Sequence, residues 1–251
     1  MRGPTALAVL LMLAAPQAHA GLSLGSGVEY FRWTEQTSPI AVQESGPLFA
    51  LSMGFAQPPV APLRVAFHGR GGIGVADYRG SFLLSPRIPA KTTTVFATTS
   101  LEAQLRARGP AGLEAVGSFG FDWWHRQLSA RQQEDYQIVS LRMSIERGEK
   151  GARGWSGGAG LQVPLVVRED AHFTDLGFDR NPTLEPTRRA GLFGHLGYRF
   201  APHFSGVGSL DSFHLGESGR VSLRTRGGSS ALAFQPATDL LMLGVRLEYS
   251  R

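Results

Sequence analysis

Leu241-Met242-Leu243-Gly244-Val245-Arg246-Leu247-Glu248-Tyr249-Ser250, near the end of the 251-residue chain, decides the fold. Leu241, Leu243, Val245, Leu247 and Tyr249 share one face. Met242, Gly244, Arg246, Glu248 and Ser250 share the other. A period of two is the period of a β-strand. An apolar face backed by one that carries charge is also what a strand needs to stand between lipid and a polar interior.

The pattern recurs upstream. Val95, Ala97, Thr99, Leu101, Ala103 and Leu105 alternate with Phe96, Thr98, Ser100, Glu102, Gln104 and Arg106. Val139, Leu141, Met143 and Ile145 alternate with Ser140, Arg142, Ser144 and Glu146. Leu192, Leu196, Tyr198 and Phe200 oppose His195, Gly197 and Arg199. Carried along the chain, the alternation predicts strands near 26–35, 47–56, 62–78, 92–106, 112–126, 134–147, 156–168, 189–200, 203–214 and 238–250. That even number suits a single-chain outer-membrane barrel. Many of the segments reach the ~9–11 residues that cross a bilayer at a tilt.

Connection lengths point the same way. The links near 57–61, 107–111, 148–155 and 201–202 are short. Those at 36–46, 79–91, 169–188 and 215–237 are longer, and the link after the fifth strand is intermediate. Short periplasmic turns alternating with long outer loops put both termini in the periplasm.

Residues 1–20 read as a cleaved signal peptide, leaving 21–251 as the barrel domain. Arg2 supplies the charge, Ala6–Ala15 the apolar core, and Ala18-His19-Ala20 the small-residue cleavage site. No later apolar run approaches the ~18 residues of a membrane helix. Mean hydropathy is −0.08, as expected when only one face of each strand meets lipid. The chain has no Cys, which excludes disulfides, thiol catalysis, Cys-ligated zinc and Fe–S clusters. The pI near 10.1 would admit nucleic acid. Export and scattered charge argue against such a partner.

Two aromatic girdles are expected. Trp33, Phe49, Tyr78, Trp123, Trp124 and Tyr136 fall on the outer rim; Phe55, Tyr198, Phe200, Phe204 and Tyr249 fall on the inner rim. Strand 1 leaves its parity open: either Val28 and Tyr30 or Phe31 and Trp33 face lipid, unless a bulge lets both pairs do so. A polar lumen network is expected from Arg64, His68, Arg70, Glu102, Arg106, Glu114, Asp122, Arg142, Glu146, Arg168, His195, Arg199, Asp211, Arg246 and Glu248. Mixed signs in a narrow interior suggest ion pairs that plug it. The alternative is a narrow passive channel, with Gly158, Gly160 and Gly197 leaving room.

Four motifs in order carry a resemblance. They are Glu29-Tyr30-Phe31-Arg32-Trp33-Thr34-Glu35, Glu44-Ser45-Gly46-Pro47-Leu48-Phe49, Gly120-Phe121-Asp122-Trp123-Trp124-His125-Arg126 and Phe234-Gln235-Pro236-Ala237-Thr238. Together they resemble a family of proteobacterial outer-membrane β-barrel proteins of unassigned function. The resemblance spans nearly all of the chain after residue 20. It implies a barrel in the outer membrane of a Gram-negative bacterium, with lipid and lipopolysaccharide around it. It also implies the outer-membrane assembly machinery as a partner during biogenesis. It implies no chemistry, no cofactor and no defined extracellular partner. Where outer-membrane barrels usually end on an aromatic residue, Tyr249 is here followed by Ser250 and Arg251.

Three motifs are weighed for catalysis. Gly69-Arg70-Gly71-Gly72-Ile73-Gly74 matches a dinucleotide fingerprint, but strand rather than helix follows it. His203 and Ser205, with Glu217, are similar to the His-x-Ser arrangement of outer-membrane lipid A deacylases, yet the acid falls at the other end of its strand. Asp211 and His214 are similar to the rim pair of omptin proteases, but they have opposite parity. An outer-rim hydrolase therefore stays a minor alternative, and no catalytic or metal residue is assigned. Arg168, Arg180, Arg188 and Arg189 are expected near lipopolysaccharide phosphates.

Overall fold

The computed structural model describes residues 21–38, 40–58, 62–82, 85–148 and 153–251; the expected signal peptide lies outside them. Seven long strands come first: β1 (Gly21–Glu35), β2 (Val42–Ala56), β3 (Leu63–Phe82), β4 (Ser85–Arg108), β5 (Leu113–Gln127), β6 (Gln133–Arg147) and β7 (Gly154–Ala171). Two short ones follow, β8 (Thr183–Leu184) and β9 (Pro186–Arg189). Then come β10 (Gly191–Ala201), β11 (Phe204–Ser218), the small hairpin β12 (Val221–Arg224) and β13 (Ser230–Ala233), and β14 (Thr238–Ser250).

Each of β1 to β7 pairs antiparallel with the next. β7 pairs with β10, β10 with β11, β11 with β14, and β14 returns to β1, with Val28 opposite Val245. The result is a closed ten-stranded antiparallel barrel. Closure leaves no free sheet edge in hydrocarbon, where an unpaired backbone group costs several kcal/mol on the order of a lost hydrogen bond. β10 is the shortest wall strand. Above it β8 pairs with β7 and β9 with β11, filling the wall.

β2 and β3, β4 and β5, β6 and β7, and β10 and β11 adjoin at the end that holds Gly21 and Arg251, here the terminal end. β1 and β2, β3 and β4, β5 and β6, β7 and β10, and β11 and β14 adjoin at the opposite, loop end, with the segments 172–190 and 219–237 over it. Two of the connections expected to be long are short, because pairing continues into them: Gln43 lies opposite Arg79 and Arg79 opposite Lys91. The outward residues there are polar, so the apolar alternation stops while the hydrogen-bond ladder goes on. Water tolerates such hairpin extensions; lipid would not.

Strand 1 has a definite parity. Val28 and Tyr30 point outward, 55% and 48% exposed, while Phe31 and Trp33 are fully buried inside. Outward on the other strands stand Phe49, Leu51, Met53, Ile73, Leu101, Phe119, Met143, Leu161, Leu192 and Val245. These form the apolar band. Toward the loop end the outward face turns polar at Arg32, Asp77, Thr93, His125, Asp135, Arg168 and Asp239.

β7 contains a bulge. Val139 faces Val166 and Ser140 faces Pro164, so Leu165 is extra. One extra residue inverts the in–out order beyond it. Below the bulge Gln162 and Pro164 face inward; above it Val167 and Glu169 do. This corrects the expected place of Arg168, which lies outside and exposed.

Candidate functional site: a divided lumen

Seen from the terminal end, the interior first holds a polar cavity of about 490 Å³. The alternation of β3 to β6 aims its basic and acidic side chains at one another. Arg64 and Arg106 both meet Glu114, and Arg106 Nη2 also lies 2.5 Å from Glu146. Arg142 donates to Gln162 Oε1 at 2.6 Å, to Asp211 at 2.7 Å and to Glu102 at 3.2 Å. Asp211 is the hub, because Arg70 reaches it at 3.2 Å and also reaches Glu29 at 3.3 Å. The chain of contacts thus runs from β6 across the lumen to β11, β3 and β1. Arg246 pairs with Glu248 at 2.6 Å, and Asp122 accepts from the Ser100 hydroxyl. His68, His195 and Arg199 line the cavity. All the expected lumen residues except Arg168 therefore face the interior.

Above this layer the lumen is filled with rings. Phe31 of β1 stacks on Phe96 of β4 with centroids 4.3 Å apart. Trp33 lies 5.1 Å from Tyr136 and 6.1 Å from Trp124, in each case edge to face. Trp124 of β5 meets Phe213 of β11, on the far wall, at 4.7 Å and 86°. Leu48, Ile138, Val167, Leu240 and Met242 complete the layer. Gly74 makes room for it. A Cβ there would fall 2.1 Å from the Pro47 carbonyl and 2.8 Å from Leu48. The glycine-rich stretch of β3 thus serves packing rather than nucleotide binding.

The girdle expectation needs correction here. Trp33, Trp124 and Tyr136 are buried inside the barrel rather than against lipid, and Tyr78 also leans inward onto the loop-end cavity. Near the loop-end boundary of the apolar band the interior is a dry protein core, and rings fill it better than ion pairs. Phe49 and Trp123 point outward, Trp123 stacked on His125 at 5.8 Å. At the terminal end Phe55, Tyr198, Phe200, Phe204 and Tyr249 all face outward. Phe204 packs 5.4 Å from Tyr249, and Trp155, 63% exposed, packs 4.9 Å from Tyr198.

Arg126 sits on the ring layer, its guanidinium carbon 4.2 Å above Trp33. It donates to Glu134 at 2.6 Å, reaches Glu35 at 2.9 Å and bonds Glu44. Trp33 Nε1 donates to Glu35 at 2.8 Å, and the Thr94 hydroxyl to Glu44 at 3.1 Å. Glu169 lies beside this group, 2% exposed, with no hydrogen-bond partner for its Oε2 among the described residues. The sequence reading missed all five charged residues. Parity would have found two of them. Arg126 shares a face with Glu114 and Asp122, and Glu134 shares one with Arg142 and Glu146.

Over the cluster lies a second cavity of about 610 Å³. Its roof is built from the two long loops. Phe173, Phe178, Leu223 and Ala233 form a small core of their own. Asp179 N donates to the Arg224 carbonyl at 2.8 Å, locking the hairpin β12–β13 to the loop after β7.

The motifs weighed for catalysis do not assemble. Asp211 is in the lumen, whereas His214 is on the outer face, 2.7 Å from Asp239. His203 bonds the Ser250 carbonyl at the terminal end, Ser205 is buried, and Glu217 stands at the loop end 3.6 Å from Arg220. Outside, Asp135 lies 2.9 Å from both His125 and His172. Among the described residues no three acidic or histidine side chains converge as a metal site. Of the loop arginines, Arg180 donates to the Ser222 carbonyl at 2.7 Å and Arg188 to the Leu165 carbonyl. Arg189 is exposed on the same loop.

Comparison with solved structures matches this architecture. The chain superposes on the outer-membrane protease OmpT from Escherichia coli with a TM-score of 0.58 at 9% identity, covering 92% of this chain and 96% of that one. The chain has the outer-membrane β-barrel fold. The toluene transporter TodX from Pseudomonas putida also matches, with a TM-score of 0.44 at 8% identity, over 99% and 93% of the two chains. No family model and no curated protein matches the chain.

Proposed function

We propose that this protein is an integral barrel of a Gram-negative outer membrane that conducts no solutes and acts through its loop end. The long loops then face the outside and both termini the periplasm. Lipid surrounds the apolar band, and lipopolysaccharide phosphates meet the outward arginines near Arg168. The assembly machinery is the partner during insertion. One observation carries the reading: the ring layer of Phe31, Trp33, Phe96, Trp124, Tyr136 and Phe213 reaches from wall to wall, each ring no more than 1% exposed. A solute entering the terminal cavity would have to displace rings packed like a protein core. The lower ion pairs alone would leave a wetter path, so the seal is aromatic rather than ionic.

The test is single-channel recording of the refolded chain in a planar bilayer, with heat-modifiable gel mobility as the folding control. The expected result is a heat-modifiable species with no steady conductance. Discrete, salt-dependent openings would overturn the closed lumen and return the channel reading.

A further inference from the structure

We propose that the loop-end cavity is a binding site for a small organic cation, an amine or quaternary ammonium on an apolar body. The inference rests on the loop-end reading above. It starts from a mismatch of charge. Glu35, Glu44 and Glu134 all engage Arg126, which leaves Glu169 with no ion pair among the described residues. Its Oε2 has no hydrogen-bond partner among the described residues, and the side chain lines the cavity floor. The neutral Tyr136 hydroxyl bonds the Glu169 carboxyl but leaves that one oxygen bare; a buried carboxylate so under-satisfied is costly, and a cation placed against it removes that cost.

The rest of the chamber selects the body that cation carries. Above Glu169 the walls are Leu128, Phe173, Phe178, Leu184 and Leu223. Phe173 and Phe178 lie 5.6 Å apart and tilted, offering ring faces to a positive group. A hydrated metal ion would waste those walls. A neutral hydrocarbon would bury the carboxylates without compensation. The volume, about 610 Å³, falls in the range of small-molecule sites, roughly 300–1,000 Å³.

The probe pair is 1-naphthylmethylamine and its neutral isostere 1-naphthylmethanol. Both are titrated by calorimetry into the folded full chain in nanodiscs, with empty nanodiscs subtracted. The expected result is one saturable site for the amine and at least tenfold weaker binding of the alcohol. Glu169→Gln, nearly isosteric, is expected to weaken the amine at least tenfold and leave the alcohol unchanged. Ala231→Trp, which fills the chamber from the loop hairpin, is expected to abolish amine binding even if the Gln variant fails the mobility control. Glu248→Gln, in the terminal cavity, should change nothing. Equal binding of amine and alcohol, displacement of the amine by millimolar magnesium, or an unaffected Ala231→Trp variant would each overturn the site. Conductance is recorded on the same preparations. Silent barrels that bind no amine sink the site but spare the sealed lumen; conducting barrels that bind it do the reverse.

Discussion

The two halves of the lumen solve the same problem differently. Below the ring layer, arginines and carboxylates pair across strands beside an open cavity, and Asp211 has two guanidinium partners. Above it, one guanidinium holds three carboxylates, and the guanidinium itself is nearly dry; the side chains of Arg126 and Glu44 are 1% and 0% exposed, against 12% and 17% for Arg142 and Arg70 below. The comparison teaches that a charge's partners matter less than what replaces them when they go. Water can reach the lower pairs. Arg126, 1% exposed beneath the loop-end cavity, is held almost wholly by the carboxylates it already has.

Arg126→Met breaks the upper group and should have the largest effect. It strands three buried carboxylates, for a loss of about 3–5 kcal/mol. Guanidinium unfolding followed by gel mobility would show a large drop in midpoint or failure to fold. Arg142→Met is the matched change below. Asp211 keeps Arg70 at 3.2 Å, and the adjoining cavity supplies water, so about 1–3 kcal/mol is expected. If the two variants lose the same stability, the contrast between the halves is false. His214→Ala removes a pair half open to solvent and should shift the midpoint by less than about 1 kcal/mol. A larger shift would mean the outer face of β11 and β14 is more than a solvated rim.

The strand alternation made the wall legible. All ten wall strands, their closure and the terminal girdle follow from apolar residues two apart. So do the lower ion pairs, because a charge opposite a lipid-facing leucine must point inward. The ring layer was not legible for the same reason. An alternation rule that sends apolar residues to lipid has no place for Phe31, Trp33 or Tyr136 inside. Yet each shares its face with a buried acid: Glu29 and Glu35 for the first two, Glu134 for the third. Parity with a charge is the stronger signal in a barrel. The strand extensions beyond the apolar band were hidden because backbone pairing leaves no mark on side-chain hydrophobicity. Glu44 was overlooked on that account, since it lies in such an extension.

In a strand, a single residue is a reading frame, and Leu165 shifts it. Below it, β7 is read on even numbers; above it, on odd. Draw Leu165 into the ladder, so that the same residues run on with no bulge, and the upper frame reverts: Glu169 turns out to solvent, and Arg168 enters the chamber beside Arg126. A cage of four carboxylates around one guanidinium becomes three around two. The sign of the whole mouth thus hangs on one bulged leucine whose own side chain faces outward, away from the caged carboxylates.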